Sequence, residues 1–331
     1  MQHAQGVTAL IMASQYGNTA TVELLLSNGA IIDIQDEKGT TALMLASENC
    51  HLSIVEHLVL KGACVDIQNN NGFTALIYAS MRNQAAIAEA LLTNGANVHI
   101  QNIEGVTALM VAADFGYTSF AELLIAYGAH IDTQNNEGDT ALILASKKGH
   151  LSTIELLIAK GAGIDVRNSE SATALIVASQ KGHADSVELL VSKGAELELE
   201  DKSGKTALLL ASACDHLDVI KVLVQKGACI DAQSGNGWTA LIIAAQNGNI
   251  SVAKYLVANG ANIDLQNLVK MTALICASEK GHIDVVNILI ANRADVDIID
   301  FVSYSTFALL RHHCIELTWF TFYMLVRQNG T

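Results

Sequence analysis

Hydrophobic and polar residues follow a pattern in this chain that returns every 33 residues. A threonine is followed by Ala-Leu and, five residues after the threonine, by a second alanine, and this arrangement occurs nine times. A fixed period of this length predicts a solenoid, in which similar structural units stack in a row. The threonines that mark the units are Thr8, Thr41, Thr74, Thr107, Thr140, Thr173, Thr206, Thr239 and Thr272.

One unit from the middle of the chain predicts a helix directly after its threonine. Thr140 is a good N-cap, because its hydroxyl can accept a hydrogen bond from an N–H group of the first turn. We predict a first helix from Ala141 to about Lys148, with Leu142 and Ala145 on one face. The counterparts of Ala145 are all alanine, which predicts a close contact between helices at this position.

The second helix of this unit is predicted roughly over residues 152–160. It should bury Ile154, Leu157 and Ile158, and Gly161 should end it in the left-handed conformation. A polar, turn-forming segment then leads to the next unit. Neither helix can bury its apolar side chains alone, so neighbouring units must stack to build a continuous core.

The period, the helix pair, the Gly-His turn, the Leu-Leu pair and the Gly-Ala step together resemble the ankyrin repeat over residues 6–302. The resemblance implies an all-α, ankyrin-type helical solenoid of about nine 33-residue helix–turn–helix repeats with turn-rich loops. The family usually has Thr-Pro-Leu-His, whereas this chain has Thr-Ala-Leu followed by Ile, Met or Leu and contains no proline. Alanine is the best helix former, so the exchange is compatible with the fold. The repeats, numbered 1–9, are expected to begin near residues 6, 39, 72, 105, 138, 171, 204, 237 and 270.

The two ends of the predicted solenoid, which spans residues 1–302, depart from the pattern. Repeat 1 has apolar residues such as Leu24 where a terminal unit should be polar, so we expect further repeats before Met1 or another chain covering this end. Residues 303–331 are rich in aromatic residues and degenerate in pattern. Three interpretations stay open: a cap on the last repeat, the start of a membrane segment, or sequence foreign to the fold. The apolar run over 315–326 is 12 residues long, shorter than the ~20 that a spanning helix needs.

The net charge and the cysteine content indicate which partners and which cellular location to expect. The formal net charge is −14, which argues against nucleic acid as a partner because nucleic-acid-binding proteins need a basic surface. None of the six cysteines lies in a CxxC pair or at zinc-ligand spacing. They indicate reduced thiols in an intracellular, cytoplasmic protein.

Histidine and aspartate recur once per repeat, which favours structural roles for both. Catalysis needs a base held beside a nucleophile or acid in a closed site, and a position repeated along a stack does not provide one. We therefore expect no catalytic residue, no cofactor and no metal site. The histidines are His51, His150, His183, His216 and His282, and the aspartates are Asp33, Asp66, Asp132, Asp165, Asp231, Asp264 and Asp297.

The positions that do not repeat are the candidates for partner recognition. The resemblance implies that partners bind the concave face, which is lined by the loop tips and the exposed end of each first helix. Large residues with no expected core role occur there, and aromatic and arginine side chains are common anchors of protein interfaces. Four lysines would form a basic patch midway along an otherwise acidic chain. The candidate partner-binding residues are Tyr16, Phe73, Met81, Arg82, Phe115, Lys147, Lys148, Lys181, Lys205 and Trp238.

The expected function is that of a non-catalytic scaffold or adaptor that binds protein partners through the concave face. Two alternatives stay open: the cytoplasmic repeat region of a larger membrane protein, and a regulatory or targeting subunit of an enzyme. We expect no nucleic acid and no small-molecule substrate, and any membrane association would involve residues 315–326. Repeat folds serve many functions, so the identity of the partner rests on more than the fold.

Overall fold

The computed structural model describes residues 6–299, which form 18 α-helices and no β-strand over this range. The helices come in successive pairs, one pair per 33-residue unit, and this confirms the all-α solenoid of about nine repeats. The first helices of the pairs are α1 (Ala9–Gln15), α3 (Ala42–Glu48), α5 (Ala75–Met81), α7 (Ala108–Asp114), α9 (Ala141–Lys148), α11 (Ala174–Lys181), α13 (Ala207–Ala213), α15 (Ala240–Asn247) and α17 (Ala273–Lys280). The second helices are α2 (Thr19–Ser27), α4 (Leu52–Leu60), α6 (Ala85–Thr93), α8 (Thr118–Ala126), α10 (Leu151–Ala159), α12 (Ala184–Ser192), α14 (Leu217–Gln225), α16 (Ile250–Ala258) and α18 (Ile283–Ala291).

The boundary predicted at residue 302 and the segment 303–331 lie outside the described residues. At the other end, Leu24 of repeat 1 is 65% exposed. Ile11 of the same repeat is buried.

The paired helices stack into two layers. Each first helix packs against its own second helix and against the first helices of adjacent repeats, while second helices contact the second helices of adjacent repeats. Leu142, Ile154 and Leu157 are buried in the core between the layers. The second helix of this repeat begins at Leu151, one residue earlier than predicted. Ile158 is half-buried rather than buried, because it packs at the rim of the core.

The alanine at the centre of each first helix lies at the contact between neighbouring repeats. Ala145 is fully buried in α9, which packs against both α7 and α11. Its counterparts in the other repeats are at most 5% exposed. A methyl group at this position lets adjacent first helices approach closely without leaving a void.

The capping role predicted for threonine is confirmed in eight of the nine repeats. Thr140 has an extended backbone, and its Oγ1 accepts a hydrogen bond from the Ile143 N–H at 3.3 Å. Thr206 is the exception, since its buried hydroxyl has no hydrogen-bond partner among the described residues. A capping bond of this kind contributes about 0.5–2 kcal/mol, and α13 begins without it.

The repeated histidines have the structural role predicted for them, and they act between repeats. His150 Nε2 lies 2.9 Å from the carbonyl oxygen of Asp114, at the end of the first helix of the preceding repeat. The C-terminal carbonyls of a helix have no partner within the helix, so the ring supplies one. The other histidines lie 3.1–3.2 Å from equivalent carbonyls: His51 from Gln15, His183 from Lys147, His216 from Gln180 and His282 from Gln246.

Each of these imidazole rings packs on a glycine of the preceding repeat. A Cβ atom placed on Gly116 would lie 2.6 Å from Nδ1 of His150, and one on Gly149 would lie 2.7 Å from Nδ1 of His183. Non-bonded heavy atoms do not approach this closely, so only glycine leaves room for the ring. The five glycines that face a histidine are Gly17, Gly116, Gly149, Gly182 and Gly248.

Where the next repeat lacks the histidine, the glycine is absent as well. The residue that replaces the glycine keeps the left-handed backbone conformation, with φ between 54° and 65° in the three repeats concerned. The left-handed turn therefore accepts other residues, and the ring of the next repeat is what requires glycine. The three turn residues are Cys50, Asn83 and Asp215, and the residues 34 positions later are Gln84, Tyr117 and Asn249.

The loops contribute a row of glutamine hydrogen bonds between repeats. Gln134 Nε2 donates to the carbonyl of Gly138 in its own loop at 2.7 Å and to that of Arg167 in the next loop at 2.9 Å. Arg167 and Glu200 occupy the glutamine position in repeats 5 and 6, and the row is interrupted there. The glutamines that repeat this pair of bonds are Gln35, Gln68, Gln101, Gln233 and Gln266.

The repeated aspartates have a structural role as well, because they connect repeats. The carboxylate of Asp132 accepts a hydrogen bond from the Gly163 N–H at 3.0 Å. In repeat 3 this position holds His99, whose ring packs against His130 with 4.0 Å between centroids. The other aspartates that accept from the backbone N–H 31 residues later are Asp33, Asp66, Asp165, Asp231 and Asp264.

Gly149→Ala is expected to destabilise the protein more than Gly161→Ala. Both glycines have positive φ, 74° and 94°, so an alanine at either position carries backbone strain of about 1–3 kcal/mol. Only the Cβ at position 149 meets a ring, because nothing lies within 4 Å of the Cβ position at 161. The overlap with the His183 ring should add about 1–3 kcal/mol, measured as the difference in unfolding free energy by chemical denaturation.

A double-mutant cycle provides the control for this prediction. In a His183→Ala background the excess cost of Gly149→Ala should disappear, because the ring is no longer present. Equal losses with and without His183 would contradict the steric pairing of glycine and histidine.

Candidate functional site

Four positions of each repeat lie close together on the first-helix layer, and they include both exposed and buried side chains. They are the residue before the capping threonine and the fourth, seventh and eighth residues after it. The ring centroids of Phe73 and Tyr78 are 5.4 Å apart, and Lys147 Nζ lies 4.0 Å from Oδ2 of Asp139, so these positions share one surface. We call this surface the first-helix face. In repeat 5 it comprises Asp139, Leu144, Lys147 and Lys148.

The ten residues predicted from the sequence all occupy positions on the first-helix face, and they fall into two regions. An aromatic region extends over repeats 1–4 and a basic region over repeats 5–7, with one tryptophan in repeat 8. The aromatic region holds Tyr16, Phe73, Met81, Arg82 and Phe115, the basic region holds Lys147, Lys148, Lys181 and Lys205, and repeat 8 holds Trp238.

Two aromatic side chains of this face are open to solvent. Tyr16 is 66% exposed and Phe115 is 50% exposed. The Phe115 ring stacks on Tyr117, with 5.5 Å between ring centroids. Arg82 lies nearby in repeat 3, and its Nη2 is 3.5 Å from Oε1 of Glu48. These side chains are positioned but not buried by the fold, so they are available for contact.

The expectation of no core role is wrong for three of the predicted residues, Phe73, Met81 and Trp238. All three are half-buried and pack against the hydrophobic core. Phe73 and Trp238 stand directly before their capping threonines and pack against the core from that position. Each therefore contributes to the stability of the repeat as well as to the surface.

Tyr78 belongs to the same surface, although the sequence pattern did not single it out. Its hydroxyl accepts a hydrogen bond from Asn69 Nδ2 at 3.0 Å, and its ring packs against Phe73. Burial, with a further contribution from the negative charge of Glu48, raises the pKa of Tyr78 above its usual value. The phenol is therefore neutral at physiological pH. The sequence does distinguish this tyrosine, because the two neighbouring repeats carry leucine or valine at the same position.

The basic region is only partly neutralised by acidic neighbours. Lys147 Nζ lies 4.0 Å from Asp139, and Lys148 Nζ lies 4.0 Å from Oδ1 of Asp114. Lys181 and Lys205 form no ion pair with the residues in the range 6–299. The helices α9, α11 and α13 are consecutive in the first-helix layer, so the lysines lie in three adjacent repeats.

Asp139 is a buried carboxylate beneath this basic region. It is 2% exposed, and its Oδ1 accepts a hydrogen bond from Asn168 Nδ2 at 2.7 Å. Its Oδ2 faces Lys147. In the other eight repeats the equivalent residue is not acidic. This difference could have identified Asp139 as part of the site from the sequence.

Other chemistry-bearing groups do not assemble into a site within the described range. Between residues 6 and 299, no group of three or more His, Cys, Asp or Glu side chains is placed to hold a metal ion. Among the same residues, no helix is both long enough and apolar enough to cross a membrane. The apolar run over 315–326 lies outside this range.

The difference in burial between the two phenylalanines gives a matched prediction. Phe73→Ala should lower the unfolding free energy by about 1–2 kcal/mol, because a half-buried ring is lost from the edge of the core. Phe115→Ala should change it by no more than about 0.5 kcal/mol, because that ring is largely exposed. Urea denaturation of both variants tests this, and an equal loss for the two would contradict the assigned packing of Phe73.

A family model for ankyrin repeats in sets of three copies matches the chain several times. The matched residues are 10–102, 51–135, 76–169, 142–234 and 229–300. No curated protein was found to match the chain. The matches together cover most of the chain and coincide with the stacked 33-residue helix pairs, so this chain belongs to the ankyrin repeat family.

Proposed function

We propose that this chain is a non-catalytic scaffold or adaptor that binds protein partners through the first-helix face. Ankyrin repeats are generally protein–protein interaction modules, and we equate this face with the concave surface through which they bind. One observation carries the proposal: this face combines variable sequence with large exposed side chains, such as Tyr16 and Phe115.

The residue before the capping threonine illustrates this variation. It is Val, Thr, Phe, Val, Asp, Ala, Lys, Trp and Met in repeats 1–9, while the threonine itself never changes. Variable side chains on a rigid scaffold are a common basis of partner recognition. Tyr16, Arg82 and Phe115 supply the aromatic and guanidinium groups that most often anchor protein interfaces.

The opposite layer also has exposed positions, and one of them varies much less. One position of the second helix is glutamate in six consecutive repeats, and all six side chains are exposed. Two of them pair with lysines of the next repeat, Glu122 with Lys160 at 3.4 Å and Glu188 with Lys226 at 3.3 Å. A uniform acidic row of this kind favours solubility more than the selection of one partner. The six are Glu23, Glu56, Glu89, Glu122, Glu155 and Glu188.

The proposal includes a cytoplasmic location. Four cysteines, Cys50, Cys64, Cys214 and Cys229, are exposed and are not in disulfides. Exposed thiols of this kind persist in a reducing compartment and become oxidised outside it.

Capture of partners from cell lysate tests the proposed face. The full-length chain is compared with a Tyr16→Ala/Arg82→Ala/Phe115→Ala variant and with a control that carries three exposed substitutions on the second-helix layer. The control variant is Leu60→Ala/Tyr127→Ala/Lys193→Ala. Bound proteins are quantified by mass spectrometry, after thermal melting has established that all three chains are equally stable.

We expect proteins that the wild-type and control chains capture and that the first-helix-face variant loses. The loss should reach about tenfold or more, because removal of anchor side chains typically costs more than 1 kcal/mol each. Equal capture by all three chains, or loss confined to the second-helix control, would contradict the proposal.

A further inference from the structure

We propose that repeats 5–7 of the first-helix face bind a short acidic segment of the partner protein. This inference rests on the proposed function and adds the chemical nature of the partner. It comes from the charge of the basic region, the side chains that surround it and the size of the surface it covers.

The charge of this region is opposite to that of the chain. The whole chain carries −14, whereas repeats 5–7 present four lysines and one aspartate on the first-helix face. Asp139 and Asp114 lie beside Lys147 and Lys148, and their charges offset part of this excess. The ammonium groups of Lys181 and Lys205 form no ion pair within residues 6–299. The carboxylate of Asp201 lies nearby, since it accepts a hydrogen bond from the backbone N–H of Lys205 at 2.9 Å.

The surface between the lysines is shallow and mainly apolar, apart from the exposed Gln180. Ala172, Val177 and Leu210 are buried, so their side chains do not project above the helices. Repeats 3 and 8 have Phe73 and Trp238 where repeat 6 has Ala172. A peptide backbone could therefore approach the helices closely at repeat 6, with lysines on both sides.

The dimensions fit a short extended segment. Adjacent packed helices lie about 8–10 Å apart, so three consecutive first helices span roughly 16–20 Å. An extended chain rises about 3.3 Å per residue, so the region accommodates about five or six residues. Phe115 in repeat 4 and Trp238 in repeat 8 lie beyond the two ends and could contact apolar residues that flank the acidic ones.

The surroundings favour a protein segment over a long polyanion such as nucleic acid. The adjacent loops carry Glu137, Glu170 and Asp201, and the remainder of the chain is acidic. A polyanion that continued past the lysines would meet these like charges, whereas a protein segment can present a few carboxylates only where the lysines lie.

Asp139 provides a way to raise the affinity. Asp139→Asn removes one negative charge beneath the lysines but keeps the oxygen that accepts from Asn168. Lys147 would then be released from its carboxylate neighbour and become available to the partner. A misfolded variant would lose affinity, so a gain of affinity in Asp139→Asn could not result from misfolding.

The experiment uses a library of random 12-residue peptides displayed on phage and selected against the full-length chain. Lys181→Glu/Lys205→Glu is the test variant. Lys254→Glu is the control, because Lys254 is exposed on the second-helix layer at the position where repeats 1–6 carry glutamate. A 12-nucleotide oligothymidylate serves as the polyanion probe, and circular dichroism melting checks that every variant is folded.

We expect wild-type and Lys254→Glu chains to select peptides enriched in Asp and Glu. The best of these peptides should bind Lys181→Glu/Lys205→Glu at least about tenfold more weakly and Asp139→Asn about twofold to fivefold more tightly. Its affinity should also fall when salt is raised, because salt screens exposed charges.

Three outcomes would overturn the inference. The inference would be wrong, and the proposed function would stand, if the selected peptides showed no acidic enrichment and their binding required Tyr16, Arg82 and Phe115. Oligothymidylate that binds as tightly as the selected peptides, with the same lysine dependence, would assign the region to polyanions. A selection that no first-helix-face substitution affects would overturn the inference and the proposed function together.

Discussion

The close contact between first helices at their central alanine is the constraint on which the rest of the structure depends. Ala145 and its counterparts are buried and bring consecutive first helices together. Only at this separation can the ring of His150 reach the carbonyl of Asp114 and pack on Gly116. The same spacing places the loops within reach of the glutamine bonds. Every polar connection between repeats therefore depends on an apolar contact that admits only a methyl group.

Because each repeat contacts its immediate neighbours, the stack can differ from one junction to the next. The region around repeats 5–7 lacks several of the regular polar connections. Arg167 and Glu200 replace the glutamines, and Thr206 does not cap its helix. This is also where Lys181 and Lys205 form no ion pair with the residues in the range 6–299. A partner that contacted both lysines would connect repeats 6 and 7, whose junction lacks the glutamine bonds, so binding there would also stabilise the stack.

The period, both helices of each repeat, the threonine caps and the structural role of the histidines could be predicted from the sequence, because each follows from local pattern. The Gly–His pairing was not predicted, since it joins positions 34 residues apart and appears only when consecutive repeats are compared, as with Gly149 and His183. The burial of Phe73 was missed because it depends on packing against the core and against Tyr78. The pairing of Asp139 with Lys147 was missed because it joins a loop to the end of a helix.

The two kinds of aromatic residue on the first-helix face should contribute to binding in different ways. Phe73 and Trp238 are held against the core, so they lose little conformational freedom when a partner binds. Tyr16 and Phe115 are more exposed and must be ordered at the moment of binding, although stacking on Tyr117 already restricts Phe115. Changing Phe73 or Trp238 also costs stability, because these held residues pack against the core. Exposed residues can be substituted with little effect on the fold, so the specificity for a partner can change while the stack of repeats is preserved.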